Sequence, residues 1–157
     1  MTLALRPVSA SDDSFLYTVY RSTRQNEFAT LPWSDAEKEA FLQMQYQAQR
    51  QGYLQQFPRA DWQIILLNDV PVGRLILERR PREMGLIDII LLPQYQNQGI
   101  GTNFIQKVMA EATEQKLPVR LHVSKINEDA LRLYKRLGFS TIGETGLHFW
   151  MEWWPAV

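Results

Sequence analysis

The sequence predicts an α/β (α+β) fold with one central sheet and helices on both faces. Three observations carry this. Apolar spacing alternates between the strand period of two and the helix period of 3.6, in the order β-α-α-β-β-β-α-β-α-β-β. The most continuous apolar strand, residues 86–92, runs into a polar turn, two glycines and a helical pattern, DIILLPQYQNQGIGT. A third stretch, NEDALRLYKRLGF, carries helix start and stop signals at both ends.

Taken in order, residues 3–6 read as a short strand stopped by Pro7. Ser9, Ser11, Asp12 and Asp13 suit a helix start, and Phe15, Leu16, Val19 and Tyr20 give one apolar face. Residues 23–33 show no clean period and read as a loop. Ser34 and Glu37 form a capping box for a helix to about Gln51, ending near Gly52. Residues 62–67 and 72–78 are strands around an Asn68-Asp69 turn, and the basic run 78–83 is a second turn.

Residues 86–92 suit the middle of a sheet, with Asp88 their one charge. The next helix buries Phe104, Ile105, Val108, Met109 and Ala112 and stops before Pro118; residues 119–123 are a strand. In the helix over 127–137, Asn127 caps, Glu128 and Asp129 favour the first turn, and Ala130, Leu133, Tyr134 and Leu137 share a face before Gly138. Residues 139–143 and 147–153 close as a hairpin.

Composition narrows the function. At 157 residues a single domain over 1–157 is expected. Acidic and basic residues balance at 17 each, so no global field attracts nucleic acid. The absence of cysteine excludes thiolate nucleophiles and disulfides and fits a cytoplasmic chain. Two histidines without cysteine argue against a metal site. No secretory signal is read at the N-terminus, and no apolar stretch approaches the ~20 residues that span a membrane.

The glycine turn is suited to phosphate. Unpaired N–H groups and the dipole at a helix start favour negative charge, and glycine lets an anion approach the backbone. A P-loop would need Gly-Lys-Ser/Thr, which is missing. A Rossmann fingerprint would need a third small residue, where this chain has Phe104. Gln96, Gln98, Gly99 and Gly101 instead fill the pattern Gln/Arg-x-x-Gly-x-Gly/Ala.

That loop, after a strand ending in Leu-Pro, resembles the acyl-CoA pyrophosphate loop of the GNAT acetyltransferase superfamily. Asn127, Ala130, Tyr134, Gly138 and Phe139 match a second family segment, N-x-x-A-x-x-x-Y-x-x-x-G-F, and the element order matches nearly throughout. The resemblance implies a mixed, mostly antiparallel sheet splayed between its fourth and fifth strands.

It also implies acetyl-CoA as acyl donor. Its pantetheine arm would pair with Ile89, Ile90 and Leu91, with a backbone N–H near Leu91 stabilising the oxyanion. The N–H groups of Asn97, Gln98, Gly99, Ile100, Gly101 and Thr102 would take the pyrophosphate. Many family members carry arginine where this chain has Gln96 and Gln98, so binding here should lean on the backbone. Lys125, Lys135 and Arg136 are candidates for the ribose phosphate. Asn127 would bond the pantetheine end, beside Ala130 and Leu133. Tyr134, two helical turns on and ~10.5 Å along the axis, would protonate the leaving thiolate; the alternative is a core tyrosine.

Two residues compete as base for the amine. His122 lies where some protein N-terminal acetyltransferases carry a glutamate, and would otherwise be a strand histidine packed under a helix. Asp88 is a carboxylate in an apolar strand, as base or amine anchor, or paired with Arg74 or Arg79. Water or an already neutral amine are further options. Glu27 would attract a cationic amine, and Phe28, Trp33 and Trp150 would form an apolar wall; His148 would join that pocket or serve nothing. The aromatic tail HFWMEWWPAV suggests a homodimer contact. The leading function is N-acetyl transfer to a primary amine of a small molecule or peptide by direct attack in a ternary complex. A non-catalytic CoA-binding module and an interaction protein using the tail are the alternatives.

Overall fold

The computed structural model describes residues 1–157. Seven strands form one sheet in the order β1-β2-β3-β4-β5-β7-β6, with four α-helices between them. The strands are β1 (Leu3–Pro7), β2 (Asp61–Leu67), β3 (Val70–Arg79), β4 (Met84–Leu91), β5 (Val119–Ser124), β6 (Ser140–Thr145) and β7 (His148–Trp153). The helices are α1 (Asp13–Phe28), α2 (Asp35–Gln56), α3 (Ile100–Gln115) and α4 (Glu128–Arg136). The element order is the one read from sequence, with two added single 3₁₀ turns at Ala10–Asp12 and Pro93–Tyr95. Contacts group the chain into two units, Met1–Leu75 with Ile90–Gln96, and Ile76–Ile89 with Asn97–Val157.

In the first unit, β1 and β2 pair antiparallel from Leu3↔Leu67 to Pro7↔Gln63. Leu16, Tyr20, Phe28, Leu42, Tyr46 and Ile64 are buried together, and each such side chain contributes roughly 1.5–3 kcal/mol. Two expectations fail here. Residues 23–28 are helix, since α1 runs on to Phe28. Its third and fourth turns offer polar residues where an apolar face would be read. The hydroxyls of Ser22 and Thr23 bond back to the Val19 and Tyr20 carbonyls, and Arg24 lies over the Tyr20 ring. The apolar face resumes only at Phe28, eight residues after Tyr20, so periodicity lost the helix before it ended.

Likewise α2 passes through Gly52 and ends at Gln56. Gly52 has no positive φ and open space around it, so nothing there demands a stop. The stop comes from Pro58, which disfavours helical geometry at Phe57. Tyr53 packs on Phe57 and Trp62 across that end.

In the second unit, β4 and β5 pair in parallel only at Met84↔Val119, Gly85↔Arg120 and Leu86↔Leu121. β4 continues beyond Leu86 and β5 to Ser124, so the ladder ends with both strands still extended. This is the divergence expected between fourth and fifth strands. β4 begins two residues earlier than its apolar run suggests, because Met84 already pairs with Val119. β5 pairs antiparallel with β7 over its full length, and β7 with the edge strand β6, where the register shifts between Thr141 and Gly143. Ile76, Met84, Ile100, Ile105, Ala112, Val119 and Met151 are at most 1% exposed.

Candidate functional site

The start of α3 is open. Asn97 and Gly99 take left-handed geometry, φ 61° and 81°, and curl the chain into the helix. Asn103 N–H, donating to Gly99 O at 3.0 Å, makes the first bond across this turn. The N–H groups of Ile100, Gly101 and Thr102 come before it, and the N-cap, Gly99, has no side chain to cap them. A Cβ on Gly99 would meet nothing within 4 Å, so the space before the helix is clear. Ile100, wholly buried, and Phe104 anchor the turn from the core side. One turn in, Asn103 Oδ1 is buried without a hydrogen-bond partner. No lysine or arginine occurs in residues 83–106, so within this stretch the attraction for an anion comes from backbone dipoles. A di-anionic pyrophosphate fits such a turn. Gln98 is exposed.

In the second unit, Asn127 caps α4, its Oδ1 accepting from Ala130 N–H at 3.2 Å, and its amide nitrogen remains a donor. Ala130 and Leu133 are half-buried. Tyr134 is 8% exposed with its ring against Phe139 at 5.5 Å. Burial pushes the Tyr134 phenol well above its ordinary range, and the charge of Asp88 adds to this. Asp88, half-buried on β4, is therefore the electrostatic neighbour of Tyr134. Both effects favour the neutral phenol, which is the form present at neutral pH in any case.

His122 is not packed under a helix. Along β5, Val119, Leu121 and Val123 are buried, and His122 projects to the other face, exposed. There it lies flat on Trp150, its direct partner across β5 and β7, with ring centroids 5.0 Å apart and planes at 13°. Partial desolvation of the stacked ring pushes the imidazole below its usual range, helped by His148 and Arg80 and opposed by Glu83. The ring is thus biased toward its neutral, proton-accepting form. Leu86 pairs with Leu121, so by strand alternation Asp88 shares the buried face and His122 the opposite one. The fold joins Asp88 to Tyr134 and His122 to Trp150, and it separates the two competing bases.

The remaining candidates fall as follows. Ile89, Ile90 and Leu91 are half-buried on β4. In the first unit, Leu92 N–H donates to Val72 O at 2.9 Å, and the Gln96 side-chain amide donates to Leu91 O at 3.0 Å. Lys125 pairs with Glu144 at 3.4 Å and lies over the Phe149 ring, while Lys135 and Arg136 are exposed on the last turn of α4. Glu27 is bonded to Arg24 at 3.2 Å. Phe28 is buried against Trp33 and Phe41, and Trp33 is exposed at 37%. His148 is exposed.

Two residues escaped the sequence reading. A Cβ on Gly73 would lie 2.2 Å from Ile90 O, so only glycine lets β3 back so closely onto the end of β4. Its signal was present, a lone glycine inside the strand VPVGRLIL. Thr145, whose hydroxyl accepts from the Trp150 indole N–H at 3.1 Å, carried no signal without the hairpin register.

A protein-family model described as the acetyltransferase (GNAT) family matches residues 20–139. A thialysine N-epsilon-acetyltransferase of Mus musculus is 42% identical over 65 residues, 41% of this chain and 38% of that protein. A 5-NmdU N-acetyltransferase of Pseudomonas phage PaMx11 is 39% identical over 59 residues, 35% of this chain and 41% of that protein. These matches span about two fifths of either relative's length. Among solved structures, the PaiA N-acetyltransferase of Thermoplasma acidophilum in complex with coenzyme A aligns with a TM-score of 0.73 at 19% identity, over 98% of this chain and 99% of that one. A GNAT family acetyltransferase of Elizabethkingia anophelis with acetyl-CoA bound aligns at 0.62 and 16% identity, over 97% of each chain. At such identities the structural likeness speaks to fold alone.

Proposed function

The chain belongs to the acetyltransferase (GNAT) family, and from that premise we propose that it moves an acetyl group from acetyl-CoA to a primary amine of a small molecule or peptide. The reading takes residues 1–157 as one working domain, in the cytoplasm, with direct attack in a ternary complex. The observation that carries it is the glycine-led start of α3, whose left-handed N-cap, Gly99, has no side chain to cover the N–H groups ahead of Asn103.

Acetyl-CoA supplies the thioester. The backbone of Asn97–Thr102 holds its pyrophosphate, and Gln96 and Gln98 add no formal charge. Ile89, Ile90 and Leu91 pair with the pantetheine arm, and a backbone N–H near Leu91 steadies the oxyanion. Asn127 bonds the arm from the α4 cap, beside Ala130 and Leu133. As the amine nitrogen bonds the acetyl carbon, its proton passes to His122. The carbon–sulfur bond then breaks, and Tyr134 gives its proton to the thiolate. Asp88, whose charge reaches Tyr134, is the second candidate for the base that takes the amine proton, on the face opposite His122. Glu27 and Trp33 select the acceptor, with Phe28 packed against Trp33. Trp154, 56% exposed, favours a homodimer contact through the aromatic tail.

The test is Tyr134→Phe, followed by thiol release and by calorimetric titration with acetyl-CoA. Turnover should fall by ~10²-fold or more while affinity stays within about two-fold. Unchanged turnover removes Tyr134 from the acid role. Wild-type protein that binds acetyl-CoA but transfers to no amine in a panel would be a CoA-binding module instead.

A further inference from the structure

We propose that Trp150 is a positioning residue for His122: the indole fixes the plane of the imidazole that receives the amine proton, and Thr145 fixes the indole. This rests on the reading of His122 as general base.

The geometry is specific. Three pairs follow one another along β5 and β7 on this face, Arg120↔Glu152, His122↔Trp150 and Ser124↔His148. Aromatic neighbours meet edge-to-face as readily as stacked, yet these rings lie within 13° of parallel at 5.0 Å. A flat stack leaves the imidazole little rotation apart from a half-turn flip. Both ring nitrogens then lie at the edge, clear of the indole and able to meet an amine. The indole is held in turn. Its Nε1–H donates to Thr145 Oγ1 at 3.1 Å, and Thr145 sits on β6 opposite His148. On the other flank Gly143 faces Trp150 across β6 and β7, and even a Cβ there would only just reach the indole, at 4.0 Å. Gly143 leaves the indole room, and the Thr145 bond fixes its nitrogen edge.

The surrounding charges are largely matched to each other. Arg120 bonds Glu152 at 3.0 Å and Glu83 at 3.3 Å, and Arg80 bonds Glu78 and Glu83. His148 stands on β7, and His148 and Arg80 disfavour a charged His122. Against them, the indole face is the surface that favours an imidazolium. Without it, an exposed histidine on an open sheet face would sample several rotamers, and a base out of alignment loses rate without losing donor binding.

The experiment is a histidine-resolved NMR titration of the full chain beside the pH profile of kcat/KM. Trp150→Leu should move the His122 midpoint by about half a pH unit. It should reduce kcat about 10-fold with the KM for acetyl-CoA unchanged. Trp150→Phe, which retains a flat face, should recover most of both. Thr145→Val should shift both in the same direction by less, and it carries the test if Trp150→Leu does not fold. A His122 midpoint and kcat unmoved in Trp150→Leu and in Thr145→Val overturn the proposal. So does a Trp150→Phe variant as impaired as Trp150→Leu. His122→Ala separates the two layers: full transfer in that variant sinks the base reading, while the NMR arms still decide whether Trp150 holds the ring.

Discussion

The starts of α2 and α3 solve the same problem in opposite ways. Every helix begins with N–H groups that lack helical partners. At α2 the chain answers with its own side chains. Ser34 Oγ accepts from Glu37 N–H and Glu37 Oε1 accepts from Ser34 N–H, both at 3.1 Å. Those bonds hold the Glu37 carboxyl below its usual range. At α3 the N-cap is a left-handed glycine with no side chain to turn back, and the next residues are Ile100 and Gly101. The first end is closed and stabilises the fold. The second has no capping side chain, and with glycine at the cap the fold forgoes only roughly a few tenths of a kcal/mol there. A helix start that gives up its cap in a family of CoA-dependent enzymes is where an anionic ligand should be sought.

The largest effect expected from this contrast comes from closing the open end. Gly101→Glu sets a carboxylate at the second residue of α3, and acetyl-CoA affinity should fall by at least ~100-fold, about 2.7 kcal/mol. Calorimetry reads this directly, and normal affinity would mean that the phosphates bind elsewhere. Opening the closed end is a smaller change of another kind. Ser34→Ala should cost about 1 kcal/mol of stability in denaturant unfolding and leave acetyl-CoA affinity untouched; a fall in affinity would mean that the two helix starts are not functionally separate. The smallest effect should follow from adding charge near the open end. Gln96→Arg should tighten acetyl-CoA by only a few-fold, about 0.5–1 kcal/mol, because the position is exposed and screened. That gain should shrink in high salt, and a gain that persists would point to new contacts rather than charge.

The parts of this chain legible in its sequence are those governed by neighbours a few residues away. α4 was bounded correctly because Asn127, Glu128, Asp129 and Gly138 state its ends locally. The Asn68-Asp69 turn was equally local, and both residues take positive φ. The second half of α1 was not legible, because Ser22, Thr23 and Arg24 satisfy the helix with polar contacts that carry no hydrophobic period. The candidate site divides along the same line. The α3 loop and the Tyr134 helix could be read as motifs. The stack of His122 on Trp150, and the opposite facing of Asp88, depend on strand pairing between residues far apart in sequence. No window over β5 alone contains that information. Gly73 is an intermediate case: its glycine was visible, but the carbonyl it makes room for lies on another strand.

The register shift in β6 between Thr141 and Gly143 has a consequence for how molecules of this protein meet at high concentration. β6 is an outer strand of the sheet and is largely exposed. A regular exposed strand presents evenly spaced donors and acceptors that another chain can extend into a fibril. The irregularity interrupts that row, and Glu144 adds a charge beside it. A copy pairing along this border would meet that irregularity beside Thr141, which disfavours templated aggregation there.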